Sequence, residues 1–129
     1  MFTVDQIKQA HDKVKSGADF PAYIRDLKKL GVSYYVTFVS DGHTDYFDTN
    51  KNKAIAPAKY EPLPIAEKCD IERFKARLKA HQQGQSGYLT FIEECATFGV
   101  DKWATCMEKM TCTYYDKKEN EILLEEIPL

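Results

Sequence analysis

An internal repeat constrains this chain more than any other feature. Adding 68 to each position from Phe20 to Ile55 gives a gapless partner for it. Identities fall at Ile24 and Ile92, Gly31 and Gly99, Val32 and Val100, Thr37 and Thr105, Tyr46 and Tyr114, Asp48 and Asp116, and Asn52 and Asn120. Average composition gives about two over such a span. Conservative pairs agree with them: Phe20 with Tyr88, Tyr23 with Phe91, Asp26 with Glu94, Leu30 with Phe98, Tyr35 with Trp103, Phe47 with Tyr115. Neither half has enough chain to bury its own apolar face. The 129 residues are therefore expected to form one α+β domain, with repeats over about 4–55 and 71–123. Two helix-helix-hairpin units would share one antiparallel sheet of four to five strands, with helices on one face and a pseudo-twofold axis between the units.

Local patterning gives each repeat its elements. Thr3 with Gln6 makes a capping box ahead of Val4, Ile7, His11 and Val14, which recur at helical spacing to about Ser16. Past Gly17, Asp19 can cap a second helix with Pro21 in its first turn, a stripe of Phe20, Tyr23, Ile24, Leu27 and Leu30, and Gly31 as its stop. A β-rich run from Val32 to Val39 followed by Asp41-Gly42 reads as a hairpin. Residues 53–65 hold three prolines and read as a surface connector with a short edge strand near Ala54 to Ala56. Asp70 opens a third helix ending at Gly84, and Ser86 can cap a fourth, ending at Gly99. Strands are expected at 102–107, 111–116 and 121–127, the last carrying acids and Pro128 that discourage further edge pairing.

A two-residue turn at Asp41-Gly42 pairs Val39 with Thr44 and Thr37 with Tyr46, and the repeat pairs Met107 with Cys112 and Cys106 with Thr113. Cys106 and Cys112 then point to opposite faces and cannot form a disulfide. One face carries Val36, Phe38, Phe47, Ala104, Cys106 and Tyr115. The other carries Tyr35, Val39, Tyr46, Trp103, Met107, Cys112 and Tyr114. Both are apolar, and four short helices cannot cover both. The second face is therefore expected either to lie under the proline-rich connector or to serve dimerisation or ligand binding, with Tyr35, Tyr46, Trp103, Met107 and Tyr114 as the candidate interaction surface.

The formal charge of −2 lacks the basic excess that draws a protein onto phosphate backbones, so nucleic acid is not an expected partner. Residues 1–80 carry a net +3 and residues 81–129 a net −5, an asymmetry that reads as solvated surface. No apolar run reaches the roughly 18 residues of a membrane helix, and the N-terminus has no basic leader. A cytoplasmic protein without a membrane partner is expected. Cys69, Cys95, Cys106 and Cys112 lack paired Cys-x-x-Cys spacing and three scattered histidines make no metal set, so no metal or cofactor is assigned.

The string His81-Gln82-Gln83-Gly84-Gln85-Ser86-Gly87-Tyr88 concentrates amides between two helices. His81, Gln82, Gln83, Gln85 and Ser86 are candidates for holding a small polar ligand, with His81 titrating near neutrality. The same residues also suit a capped turn. His11, on an apolar stripe, reads as a core histidine. No phosphate loop, nucleophile elbow or zinc-protease motif is present, and no local signature supports a Cys-His pair, so catalysis is left open.

The strings Asp19-Phe20-Pro21-Ala22-Tyr23-Ile24, His81-Gln82-Gln83-Gly84-Gln85, Gly99-Val100-Asp101-Lys102-Trp103 and Met110-Thr111-Cys112-Thr113-Tyr114-Tyr115-Asp116 resemble a family of small bacterial and prophage-associated proteins, domain of unknown function 1398. The likeness runs from about Val4 to Pro128. Members often carry the label "phage envelope protein", but the resemblance implies no activity and transfers no catalytic residue. Two readings stand together at this point. One is a binding or interaction module that self-associates, as a homodimer, through the aromatic sheet face. The other is a small-ligand sensor or small enzyme using the loop from His81 to Tyr88.

Overall fold

The structure is a computed structural model and describes residues 2–14 and 19–127. Its elements in chain order are α1 (Val4–His11), α2 (Phe20–Leu30), β1 (Val32–Phe38), β2 (Thr44–Asp48), β3 (Lys53–Ala56), α3 (Ile71–Gln82), α4 (Tyr88–Thr97), β4 (Lys102–Cys106), β5 (Thr111–Tyr115) and β6 (Glu121–Glu126). The α+β architecture matches the sequence reading, but the sheet has six strands rather than four to five, in the order β3-β2-β1-β4-β5-β6. Each half adds its own edge strand, β3 or β6, which short antiparallel returns make inexpensive. Ser16, Gly17 and Pro128 lie outside the described residues.

Every pairing is antiparallel, and the two halves meet at β1 and β4. Equivalent hydrogen bonds close both ends of that seam. The Val39 N–H donates to the Asp101 carbonyl at 2.8 Å, and the Met107 N–H donates to the Ser33 carbonyl at 2.9 Å. Adding 68 to Ser33 and Val39 gives Asp101 and Met107, so the two bonds join matched positions of the two halves.

The hairpin register differs from expectation by two residues. Thr37 opposes Thr44 and Tyr35 opposes Tyr46, while Thr105 opposes Cys112 and Cys106 opposes Thr111. Val39 is committed to β4 across the seam, so the turn begins one pair earlier. The Phe38 N–H donates to the His43 carbonyl (3.0 Å) while Asp41 Oδ1 accepts from the His43 N–H (3.0 Å). A slip of two residues preserves the side on which each side chain lies. Cys106 and Cys112 fall on opposite faces, and all four cysteines are free.

The helices cover the aromatic face, which corrects the assignment of an interaction surface. Tyr35 (3% exposed), Tyr46 (3%), Trp103 (7%), Met107 (1%) and Tyr114 (6%) are interior residues, unavailable to a partner that approaches from outside. The face left open carries Tyr34, Val36, Phe38, Phe47, Ala104 and Tyr115, with Tyr34 stacked on Phe47 at 4.4 Å. The connector does not cover the aromatic sheet face alone. It closes one end, where the Tyr60 hydroxyl donates to the Val39 carbonyl at 2.6 Å and the Lys59 and Leu63 N–H groups donate to the Asp41 and Ser40 carbonyls.

Helix ends follow the sequence signals in most places. The Thr3–Gln6 capping box forms, Asp19 stands at the N-cap of α2, and Asp70 Oδ1 accepts from the Arg73 N–H at 3.2 Å. Ser86 does not cap α4. Gly87 holds that position, and Ser86 turns to His81 instead. The paired acids at the β2 and β5 exits explain four of the repeated residues. Asp48 accepts from the Asn50 and Asn52 N–H groups (both 2.9 Å) and the Asn52 amide (3.1 Å), and Asp116 receives the same three bonds from Lys118 and Asn120 at the same distances.

Two outcomes test this description. Gly31 and Gly99 both hold left-handed backbone (φ +100 and +85), but a Cβ at Gly31 meets nothing, whereas one at Gly99 would lie 2.6 Å from the Lys68 carbonyl oxygen. Gly31→Ala should lose about 1–2 kcal/mol in urea unfolding. Gly99→Ala should lose clearly more, and equal losses would contradict the close approach of connector and helix end. Asp48 and Asp116 supply the second outcome. Desolvation raises the Asp48 carboxyl, but hydrogen bonds from Asn52 and Asn50 outweigh it and hold the group below its ordinary value. At Asp116 the Asn120 backbone bond leads in the same direction. A depressed carboxylate contributes stability that is complete above the ordinary value of 3.8 and is lost as pH falls through the folded value. The double variant Asp48→Asn, Asp116→Asn should show a shallower loss of urea midpoint between pH 4 and 2.5 than the parent, and an unchanged acid limb would remove the turns from the acid sensitivity.

Candidate functional site

A cavity of about 160 Å³ lies between the helices and the buried sheet face. Its floor is built by strand residues whose alternation points them inward: Tyr35, Thr37, Thr44 and Tyr46 from the first half, and Trp103, Cys112 and Tyr114 from the second. Helices supply the other walls through His11, Tyr23, Leu78, His81, Tyr88 and Phe91. Lys59 of the connector and Glu125, Glu126 and Ile127 of the last strand and its end line the rim. The lining draws on matched positions of both halves, since Tyr23 and Phe91, Tyr35 and Trp103, Thr44 and Cys112, and Tyr46 and Tyr114 are all related by 68.

The floor's polar groups are paired with one another. The Tyr23 and Tyr46 hydroxyls lie 3.3 Å apart, those of Thr37 and Thr44 are 3.1 Å apart, and the Thr105 hydroxyl donates to Cys112 Sγ at 3.6 Å. Satisfied hydroxyls inside an aromatic wall can exchange one bond for a ligand's without leaving an orphan donor. Burial pushes the phenols of Tyr23, Tyr35, Tyr46 and Tyr114 up, so all four are neutral at physiological pH. It also pushes the Cys112 thiol up to about 11. That thiol is therefore protonated and not poised as a nucleophile.

Two histidines border the cavity. His81 stacks on Phe91 with centroids 4.2 Å apart, and its Nδ1 lies 3.2 Å from the Ser86 carbonyl oxygen. A carbonyl only accepts, so the ring proton is assigned to Nδ1 and the lone pair to Nε2. His11 meets Tyr23 and Tyr88 edge-on at 5.4 and 5.9 Å. Burial lowers both histidines; the positive charge of Lys59 adds to the effect at His11, and the Ser86 hydrogen bond opposes it at His81. Both rings are neutral near pH 7.

Of the five residues nominated from the polar string, the structure brings His81 and Gln82 to the cavity, because both lie on the last turn of α3. The Gln82 amide donates to Glu125 Oε1 at 3.0 Å, tying that helix end to β6. Gln83 and Gln85 are exposed and bond to each other, and Ser86 orients His81. The aromatic residues nominated as an outer surface line the same cavity, apart from Met107. The sequence reading did not find Lys59 or assign His11 to a site. The offset held a signal for Lys59, whose partner is Ile127, another lining residue. Among the described residues no group of three His, Cys, Asp or Glu side chains could hold a metal ion, and no helix is long and apolar enough to cross a membrane.

Because His11 and His81 titrate lower folded than unfolded, their contribution to stability is complete above the ordinary histidine value of 6.5 and falls as pH drops through the folded values. Lowering pH from 7.5 to 5 should reduce the urea midpoint, and the double variant His11→Gln, His81→Gln should flatten that decline. A decline of the same steepness in the variant would assign it to other groups.

No curated protein matches the chain. A family profile described as "Protein of unknown function (DUF1398)" matches residues 8–126, nearly the whole length and both halves of the cavity wall. The chain belongs to that family.

Proposed function

We propose that this protein is a small-molecule-binding domain, and that the cavity takes one ring-sized, largely apolar ligand. The observation that carries this reading is the aromatic cavity itself, held between the two halves and bordered by neutral histidines and paired hydroxyls. Its volume is close to that of the engineered cavities of about 150 Å³ that bind benzene. Convergent polar groups within an apolar concavity are the usual composition of ligand sites. In this reading the internal duplication supplies the cavity, since each copy contributes one wall. A cytoplasmic location accords with four free thiols. Cys112, the thiol of the lining, is protonated and is not a ready nucleophile.

The single tryptophan, Trp103, lies in the cavity wall and reports on occupancy. Toluene titrated into the protein should change Trp103 emission saturably with one site per chain. Leu78→Phe, which adds a ring at a lining position, should abolish the change while keeping the unfolding free energy within about 1–3 kcal/mol of the parent's, the usual range for overpacking. An unsaturable response, or the same response in the folded variant, would contradict the proposal.

A further inference from the structure

The two walls of the cavity are related by the repeat but are not chemically alike. At the offset of 68, the first half presents Tyr23, Thr44 and Lys59 where the second presents Phe91, Cys112 and Ile127. Each of these exchanges takes an oxygen or nitrogen out of the second half, whereas Phe20 opposite Tyr88 and Val14 opposite Gln82 run the other way. The exchange that changes charge is at Lys59, the one lysine or arginine among the described lining residues, which stands opposite the apolar Ile127.

Lys59 marks the polar end. Its Nζ lies 5.9 Å from the centroid of the Tyr88 ring, and among the described residues no carboxylate forms an ion pair with it. Its charge helps to lower His11, which is neutral, and burial keeps the Tyr88 phenol neutral. The cavity's acids, Glu125 and Glu126, come from β6 in the other half, and Glu125 already accepts from Gln82. A cation beside an aromatic face and without an ion-pair partner among the described residues favours an anionic guest over a neutral or cationic one.

Resting on the reading of the cavity as a ligand site, we propose that the ligand is a single-ring aromatic carboxylate. The ring occupies the wall of Phe91, Trp103 and Tyr114, and the carboxylate faces Lys59 at the rim, where it keeps part of its hydration. Lys59 is then the residue that sets specificity for charge.

Four probes of similar size separate the possibilities: benzoate, benzamide, benzylammonium and toluene, each titrated at pH 7.5 against Trp103 emission. Benzoate should bind at least tenfold more tightly than benzamide, and benzylammonium most weakly of the charged pair. Lys59→Met should reduce benzoate affinity to that of benzamide and leave toluene unchanged, while Lys59→Arg should retain the preference. Saturable toluene binding with benzamide or benzylammonium equal to or tighter than benzoate would overturn the carboxylate assignment and leave the cavity reading standing. Benzoate preference that survives in Lys59→Met would overturn the role of Lys59. If none of the four probes binds, both the cavity reading and this inference fall.

Discussion

The pairing of β1 with β4 is the contact on which everything else depends. Each half alone is a three-stranded sheet with two short helices, and its β1 or β4 would be an unpaired edge. Joined antiparallel at the seam, the two edges satisfy each other, with Val39 bonded to Asp101 and Met107 to Ser33. The seam also dictates the hairpin register, since it takes Val39 and Met107 out of the hairpins and lengthens both turns by the same amount. Neither the six-stranded sheet nor the buried aromatic face exists without it.

A cavity follows from that seam. Two helices from each half lie over one continuous sheet, but they pack mainly within their own pairs, α1 with α2 and α3 with α4. Between the pairs, over the strands nearest the axis, the inward residues are rings whose edges meet at centroid separations of 5 to 6 Å: Tyr35 with Tyr46 at 5.4 Å, and Trp103 with Tyr114 at 6.1 Å. The gap lies over these rings, lined by residues of both helix pairs. The connector and the end of β6 then border the gap with Lys59 and Ile127, which is where the symmetry of shape stops being a symmetry of chemistry.

Much of this architecture was legible in the sequence because it is local or repeated. Helix caps at Thr3 and Asp70, the stop at Gly31, the alternating strands and the acid-asparagine turns at Asp48 and Asp116 each leave a signature within a few residues. The strand parity was legible too, since a register slip of two leaves every side chain on its own side. What was not legible was which apolar face the helices choose. Both faces alternate with hydrophobic residues, and the choice rests on where the helix stripes of Tyr23, Ile24, Leu27, Phe91 and Ile92 can reach after the seam has formed. That one choice converted Tyr35, Tyr46, Trp103 and Tyr114 from an expected outer surface into a cavity wall. The site was half legible for the same reason: His81 and Gln82 stood out as part of an unusual polar string, whereas Lys59 lies in a connector with no periodicity, and only the fold carries it to the rim.

The central claim is that an unfilled, accessible cavity lies between the two helix pairs, walled by residues of both repeats. The most direct measurement is a crystal structure of the protein pressurised with xenon, which enters apolar cavities without needing a specific hydrogen bond. The account predicts a single strong xenon peak between Trp103 and Tyr46, beneath Phe91. A structure in which Tyr88 or Leu78 fills that space and no xenon binds there would contradict it.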